Sequence, residues 1–246
     1  MEHRLKHITF TGVDAKTDKK LLSEIQKQYP VAEFGVLTSY HWYENGNRYI
    51  DPRMIVDLPE NLNLSLHICG SATMEAMVGY WEMIDHLIFG QLFRFKRIQL
   101  NIANRNGNID RCFRPEYIHQ EIIIQQKSTG ELREYCNTMV AAQQVGWQHY
   151  FSVLLDASGG RGIDTEIKIL QKQRKVGYAG GITPDNVEEK LLYLLENHDR
   201  DFWIDMESGV RTNDQFDLNK VQDVLEKCDR ILYDYENAAV KKHTTF

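Results

Sequence analysis

Eight short runs of β-type residues, set at a nearly constant interval, constrain this chain more than anything else in it. They read HITFT from His7, EFGVLT from Glu33, LSLHIC from Leu64, RIQLNI from Arg97, EIIIQQ from Glu121, FSVLL from Phe151, KVGYA from Lys175 and FWIDM from Phe202. Their starts lie about 28 residues apart on average, close to one strand-plus-helix unit of an eight-fold barrel of ~250 residues. Between most of them, apolar residues fall three and four apart, the spacing of a helix: TDKKLLSEIQKQYP, ATMEAMVGYWEMIDHLI and PDNVEEKLLYLLENH, with another helix opening after Asp217 in FDLNKVQDVLEKC. Strand alternating with helix implies parallel strands joined by right-handed crossovers. The expected fold is therefore α/β, a single (β/α)8 barrel domain over residues 1–246, with a loosely held tail from about residue 239.

Local signals refine this plan. Val187, Leu191, Leu194 and Leu195 share one helix face, and Pro184 behind Thr183 is placed for a first helical position. Two connections break the rhythm: the aromatic SYHWYENGNRYIDP after the second run and the polar ANRNGNIDRCFRPEYIHQ after the fourth. Both follow strand C-terminal ends, the face on which barrel enzymes keep their sites. The helical run MEAMVGYWEMIDHLIF is rich in Met and aromatics, which suits a buried helix first and a contact between copies second.

Composition excludes several function classes. A net charge of -6 and a pI near 5.9 leave no basic footprint for nucleic acid. The four cysteines, Cys69, Cys112, Cys136 and Cys228, are widely spaced and form no C-x-x-C, so neither a zinc knuckle nor a disulfide framework is signalled. With no apolar leader and no membrane-length apolar run, the expectation is a cytoplasmic protein with free thiols and no membrane partner. Whether it forms a homo-oligomer is open.

The stretch VGYAGGITPDNV places two adjacent glycines, Gly180 and Gly181, at the end of the seventh run. Glycine lets backbone approach an anion with no Cβ in the way, and Ser208-Gly209 after the eighth run offers a second set of amides beside it. Barrels of this kind often hold phosphate after strands seven and eight. SGGRG, Ser158 to Gly162, adds a third glycine loop, in which Gly160 is a further candidate contact. The competing explanation of each is an ordinary tight turn.

In combination and order these segments resemble the phosphoribosylanthranilate isomerases of tryptophan biosynthesis. FGVLTS…NRYIDP, RIQLN, LLDASGGRG, AGGITPDNV and IDMESGVRT are each similar to a segment of that family. The resemblance implies a barrel that binds a small phosphorylated sugar and converts an aldose amine to a ketose amine by an Amadori rearrangement, with no cofactor and no metal. It implies Asp156 as the general acid, Arg48 near the amine's carboxylate, and Gly180, Gly181, Ser208 and Gly209 as the phosphate cradle. A strand-end carboxyl suits proton donation and a guanidinium suits a carboxylate.

At the first strand the resemblance fails. The family's catalytic cysteine is replaced by Thr11 in Thr9-Phe10-Thr11-Gly12, and a hydroxyl cannot act as a thiolate base unless another group activates it. Glu207, where the family has serine, is the preferred substitute; alternation puts it on the same side as Asp205. Cys69 is expected to be a small core residue and Asp14 a solvated loop or helix-start carboxylate. His67 is expected to be a hydrogen-bonded core histidine, because the strand-seven aspartate that metal-dependent epimerases of the same barrel group carry is here Tyr178-Ala179. Isomerase activity, on this or a changed substrate, is the first expectation; a sugar-phosphate-binding barrel that has lost its base, or uses a different chemistry, is the alternative.

Overall fold

The structure, a computed structural model, describes residues 4–44, 46–101, 119–127, 151–159, 161–170 and 175–243. Gly160, Cys112, Cys136 and nearly all of the polar connection after the fourth strand lie outside these. All eight expected strands are present: β1 (Leu5–Thr11), β2 (Ala32–Thr38), β3 (Leu64–Ile68), β4 (Phe95–Leu100), β5 (Glu121–Gln126), β6 (Phe151–Asp156), β7 (Lys175–Ala179) and β8 (Asp201–Met206). Each runs parallel to the next in chain order, and β8 pairs with β1 to close the barrel. This is the (β/α)8 fold that the spacing predicts.

The strands are buried on both faces, so alternation decides which residue faces where. Here it is inverted relative to a sheet with one wet face. Ile8, Phe10, Phe34, Val36, Leu66, Ile98, Ile124, Val153, Tyr178 and Ile204 belong to the large core packed beneath the surrounding helices. The alternate positions point into the barrel, and most are polar. In the half nearer the strand N-termini, Glu33 accepts from Thr9 at 2.9 Å and from Arg97 at 2.9 Å, while Glu121 accepts from Ser152 at 2.6 Å and Lys175 at 2.7 Å. Arg97 also lies 3.5 Å from Glu121 and stacks 4.2 Å over the Trp203 ring. His7, beside this network, is pushed down to about 3 by burial and then by the Arg97 charge. Above the charges, Ile123, Leu154 and Trp203 form a small apolar layer with Ala179.

Among the described residues the helices are α1 (Lys19–Gln28), α2 (Ser71–Met77), α3 (Trp81–Leu87), α4 (Val187–Asn197) and α5 (Leu218–His243). Asp18 caps α1, its carboxylate accepting from the amides of Lys20 and Leu21. The single helix expected from MEAMVGYWEMIDHLIF is instead two. Gly79, at φ 84°, closes α2 in a Schellman pair, its amide on Ala76 O at 3.0 Å and that of Tyr80 on Glu75 O at 2.9 Å. Periodicity cannot register such a stop, because apolar spacing continues through it. Ala76, Met77, Trp81 and Ile84 are buried, whereas Met74, Tyr80 and Met83 are exposed. Pro184 likewise lies not in a helix but in the turn before α4, where Thr183 N donates to Asn186 Oδ1 at 2.8 Å. α5 continues as helix to His243, into the stretch expected to be a loose tail.

Trp203 needs the space that Gly177 leaves. A Cβ built on Gly177 would fall 2.1 Å from the indole. We predict that Gly177→Ala destabilises the protein by about 1–3 kcal/mol, the usual range for overpacking a filled interior. Urea unfolding should show a lower midpoint at an unchanged slope; an unchanged midpoint would mean the apolar layer is loosely packed.

Candidate active site

Toward the strand C-termini the interior is no longer filled. A cavity of about 320 Å³ opens there. The last inward position of each strand supplies its floor, among them Thr11 of β1, His67 of β3, Gln99 of β4, Gln125 of β5, Asp156 of β6 and Asp205 of β8. The loops beyond supply its walls: Arg48 and Tyr49 after β2, Cys69 after β3, Lys127 after β5, Ser158 after β6, Gly180 and Gly181 after β7, and Glu207 and Ser208 after β8.

Asp156 is buried and held from two sides. Its Oδ2 accepts from Gln125 Nε2 at 2.8 Å, and its Oδ1 from the Ser158 amide at 3.0 Å and hydroxyl at 2.7 Å. Across the floor, Thr11 Oγ1 donates to Asp205 Oδ1 at 3.0 Å. The other oxygen, Asp205 Oδ2, is buried without a hydrogen-bond partner. Gly35 makes room for this row, since a Cβ there would meet Thr11 Oγ1 at 2.6 Å and His67 Nε2 at 3.0 Å. Glu207 Oε1 is buried and lies 3.2 Å from Arg48 Nη1, an ion pair without hydrogen-bond alignment. Arg48 also faces Asp214 at 3.9 Å.

The glycine pair is required twice over. Gly180 and Gly181 have φ of 117° and 65°, left-handed angles that favour glycine. A Cβ on Gly181 would sit 2.3 Å from the Asp164 amide, and one on Gly180 2.4 Å from Thr165 Oγ1. The loop after β6 therefore lies directly on the glycines, and Lys190 of α4 fastens it through Asp164 at 2.7 Å and Thr165 O at 2.9 Å. Asn186 braces the same turn by donating to Gly181 O at 2.9 Å. Ser208 lines the cavity next to Gly162, whereas Gly209 stands behind the wall, its Cβ position 2.0 Å from Ile182 O.

Several residues sit differently from the expectation. Asp14 is not solvated: it is buried, accepting from the Phe216 amide at 2.7 Å and Arg211 Nη2 at 3.3 Å, and so ties the end of β1 to the hairpin of β9 (Arg211–Thr212) and β10 (Gln215–Phe216). Cys69 is a cavity wall residue rather than core filling; Asn101 Nδ2 donates to its sulfur at 3.0 Å, and burial pushes the thiol up. His67 is buried with Nε2 3.1 Å from Ser65 Oγ, and burial lowers it to about 4. Among the described residues no three His, Cys, Asp or Glu side chains converge as a metal set. Sequence reasoning missed Asp205, Gln99, Gln125 and Lys127. Alternation counted to the strand ends marks the first three; no sequence signal marks Lys127, which reaches the site by packing along Gly159.

Two carboxyls of the cavity are displaced upward. Burial is the main cause for Asp205, joined by the charges of Glu33, Glu207 and Asp156 and opposed by the Thr11 hydrogen bond. Burial also raises Glu207, with Arg48 and Arg211 opposing. A carboxyl whose folded-state pKa lies above its unfolded one favours the fold below the unfolded value and loses that contribution as pH rises through the folded value. We predict that Asp205→Asn melts above the wild type at pH 8 and that the gap closes toward pH 4, as followed by calorimetry. A variant less stable than wild type at both pH values would refute the assignment.

Comparison with known proteins points to one family of barrels. The family model for N-(5'phosphoribosyl)anthranilate (PRA) isomerase matches residues 120–227, which contain Asp156, the glycine pair and Ser208 but neither Thr11 nor Arg48. Among solved structures, the N-(5'-phosphoribosyl)anthranilate isomerase from Pyrococcus furiosus is 16% identical, covers 91% of this chain and 98% of its own, and superposes with a TM-score of 0.52. The phosphoribosyl anthranilate isomerase from Thermus thermophilus is 16% identical, with coverage of 92% and 99% and a TM-score of 0.58. A phosphoribosyl anthranilate isomerase in complex with reduced 1-(o-carboxyphenylamino)-1-deoxyribulose 5-phosphate is 17% identical, with coverage of 92% and 99% and a TM-score of 0.56. A search of the curated proteins found no match. The chain therefore resembles the phosphoribosylanthranilate isomerases, in sequence pattern over residues 120–227 and in fold over 91–92% of its length.

Proposed function

We propose that this protein is an aldose-ketose isomerase of the phosphoribosylanthranilate isomerase type, acting on a phosphoribosyl amine. One observation carries the reading: a single cavity of about 320 Å³ joins a buried strand-end carboxyl, Asp156, to a glycine-and-serine wall suited to an anion. That volume is at the small end of the range for enclosed ligand sites, roughly 300–1,000 Å³. The phosphate end of the sugar rests against Gly180, Gly181 and Ser208, and Lys127, held along Gly159 on the same rim, adds positive charge. Gly209 supports this wall from behind, packed against Ile182.

With the phosphate fixed there, the furanose lies over the floor. Asp156, in its carboxyl form, gives a proton to the ring oxygen, and the ring opens to an iminium. Gln125 and Ser158 hold the aspartate in position through the step. Arg48 stands over the mouth, where the amine's substituent projects, with its charge shared between Glu207 and a ligand carboxylate. Burial of the floor keeps water from the open-chain intermediate.

The competing reading is a sugar-phosphate-binding barrel without turnover. Thr11 favours it, because its hydroxyl is a donor to Asp205 and takes no proton. Phosphoribosylanthranilate fluorescence separates the two. The purified protein should quench it, and Asp156→Asn should lower kcat by about 10²–10⁴-fold, the ordinary contribution of a positioned acid or base. Protein that is stabilised by ligand and leaves the signal at background would be the binder. Inorganic phosphate at about 100 times its Kd should stabilise the fold by about 2.7 kcal/mol; no rise in Tm at millimolar phosphate would remove the anion wall from the account.

A further inference from the structure

An isomerase of this kind needs a base as well as an acid, and the cavity offers several groups in place of the absent first-strand thiol. Thr11 is excluded by its own hydrogen bond, in which it is the donor. Cys69 holds its proton more tightly because it is buried, and its sulfur already accepts from Asn101. His67 is turned to Ser65 and, at about 4, is a weak proton acceptor. Glu207 faces the cavity, yet the Arg48 guanidinium lies 3.2 Å from its buried oxygen, and abstraction there would break the ion pair.

Asp205 is raised by burial as well, but it is opposed by no cation pair and only one of its oxygens is engaged. Its side chain is buried and lines the floor, Thr11 fixes one oxygen at 3.0 Å, and the other has no partner. Building on the isomerase reading above, we propose that Asp205 is the base that removes the proton from the sugar carbon next to the iminium, with Thr11 as the residue that positions it. The C2–H bond breaks and its proton passes to Asp205 Oδ2. The bonding pair becomes the C1=C2 double bond, and the iminium π electrons settle on nitrogen. Asp205 then returns its proton to C1 while Asp156, left as carboxylate by ring opening, takes the enol proton, so both groups end as they began. In this scheme the base stands on β8, and Thr11 of the neighbouring β1 orients it.

The surroundings of Asp205 suit the task. Acting on it are Thr11 from β1, Glu33 from β2, Asp156 from β6 and Glu207 just beyond the end of β8, while Ala179 of β7 presents nothing titratable. Three acidic neighbours and burial make its carboxylate a stronger proton acceptor than an exposed aspartate. The base form is required, so kcat/KM should rise with pH through a range above the ordinary carboxylate one.

The test uses phosphoribosylanthranilate carrying hydrogen or deuterium at C2 of the ribose. Wild-type protein should turn over the deuterated substrate more slowly. Asp205→Asn should lose about 10²–10⁴-fold in kcat with KM moved little, should lack the rising pH limb, and should bind inorganic phosphate as wild type does. Asp205→Glu should regain part of the rate, and Thr11→Val should displace the pH limb while retaining most of the KM. Full activity in Asp205→Asn, or a loss confined to KM, overturns the assignment and leaves the isomerase reading intact. Equal loss in Glu207→Gln or Cys69→Ser with Asp205→Asn unaffected moves the base to that residue. Wild-type protein inert toward both substrates overturns the isomerase reading first and this inference with it. If Asp205→Asn does not fold, the Thr11→Val pH profile and the isotope effect decide the matter.

Discussion

Arg97 is the residue on which this barrel is organised. From β4 it reaches Glu33 on β2 and Glu121 on β5 and covers the Trp203 ring of β8. A guanidinium can do this because it is planar, permanently charged and able to stack while it donates. Such a buried network adds little net stability, since desolvation offsets much of the attraction, but losing one partner strands a charge at a cost of about 3–5 kcal/mol. Its consequence is geometric. One half of the barrel interior is filled by ions and an apolar layer, so open space remains only where the strands end.

That division accounts for the character of the site. Because the inward positions above the apolar layer are mostly polar, the strand ends present carboxyls, amides and hydroxyls to the cavity. Opposing charges then sort the carboxyls by role. Glu207 lies against Arg48 and Asp14 against Arg211, whereas Asp156 accepts from Gln125 and Ser158 and Asp205 accepts from Thr11 on one oxygen, its other oxygen being buried without a hydrogen bond. Arg211 holds the two ends of the sheet together at this point, since it also donates to Gly12 O at 2.7 Å, against a glycine at φ 97° that leaves no room for a Cβ.

The walls show the same economy of parts. Position alone marks Gly180 and Gly181 as candidates for an anion wall, and the structure gives them a packing duty, the seating of the loop after β6. Gly209, grouped with them by sequence, serves the packing behind the wall. Both outcomes come from one physical fact: where two loops touch backbone to backbone, only a residue without Cβ fits, whether or not a ligand is present.

The sequence by itself determined the eight strands, their parallel order, and Asp156 at a strand end on the face where the cavity opens, because these follow from a two-residue alternation and a repeat length that are local properties of the chain. It did not determine where MEAMVGYWEMIDHLIF breaks, since a left-handed glycine stops a helix without interrupting its apolar spacing. Nor did it reveal that Glu207 would be taken up by Arg48, that Asp14 would be buried under Arg211, or that Thr11 would donate to Asp205. Those pairs are 159, 197 and 194 residues apart in the chain. Barrel closure brings them together, and only then do distance and burial set which carboxyl lies against a cation and which is held by a neutral donor.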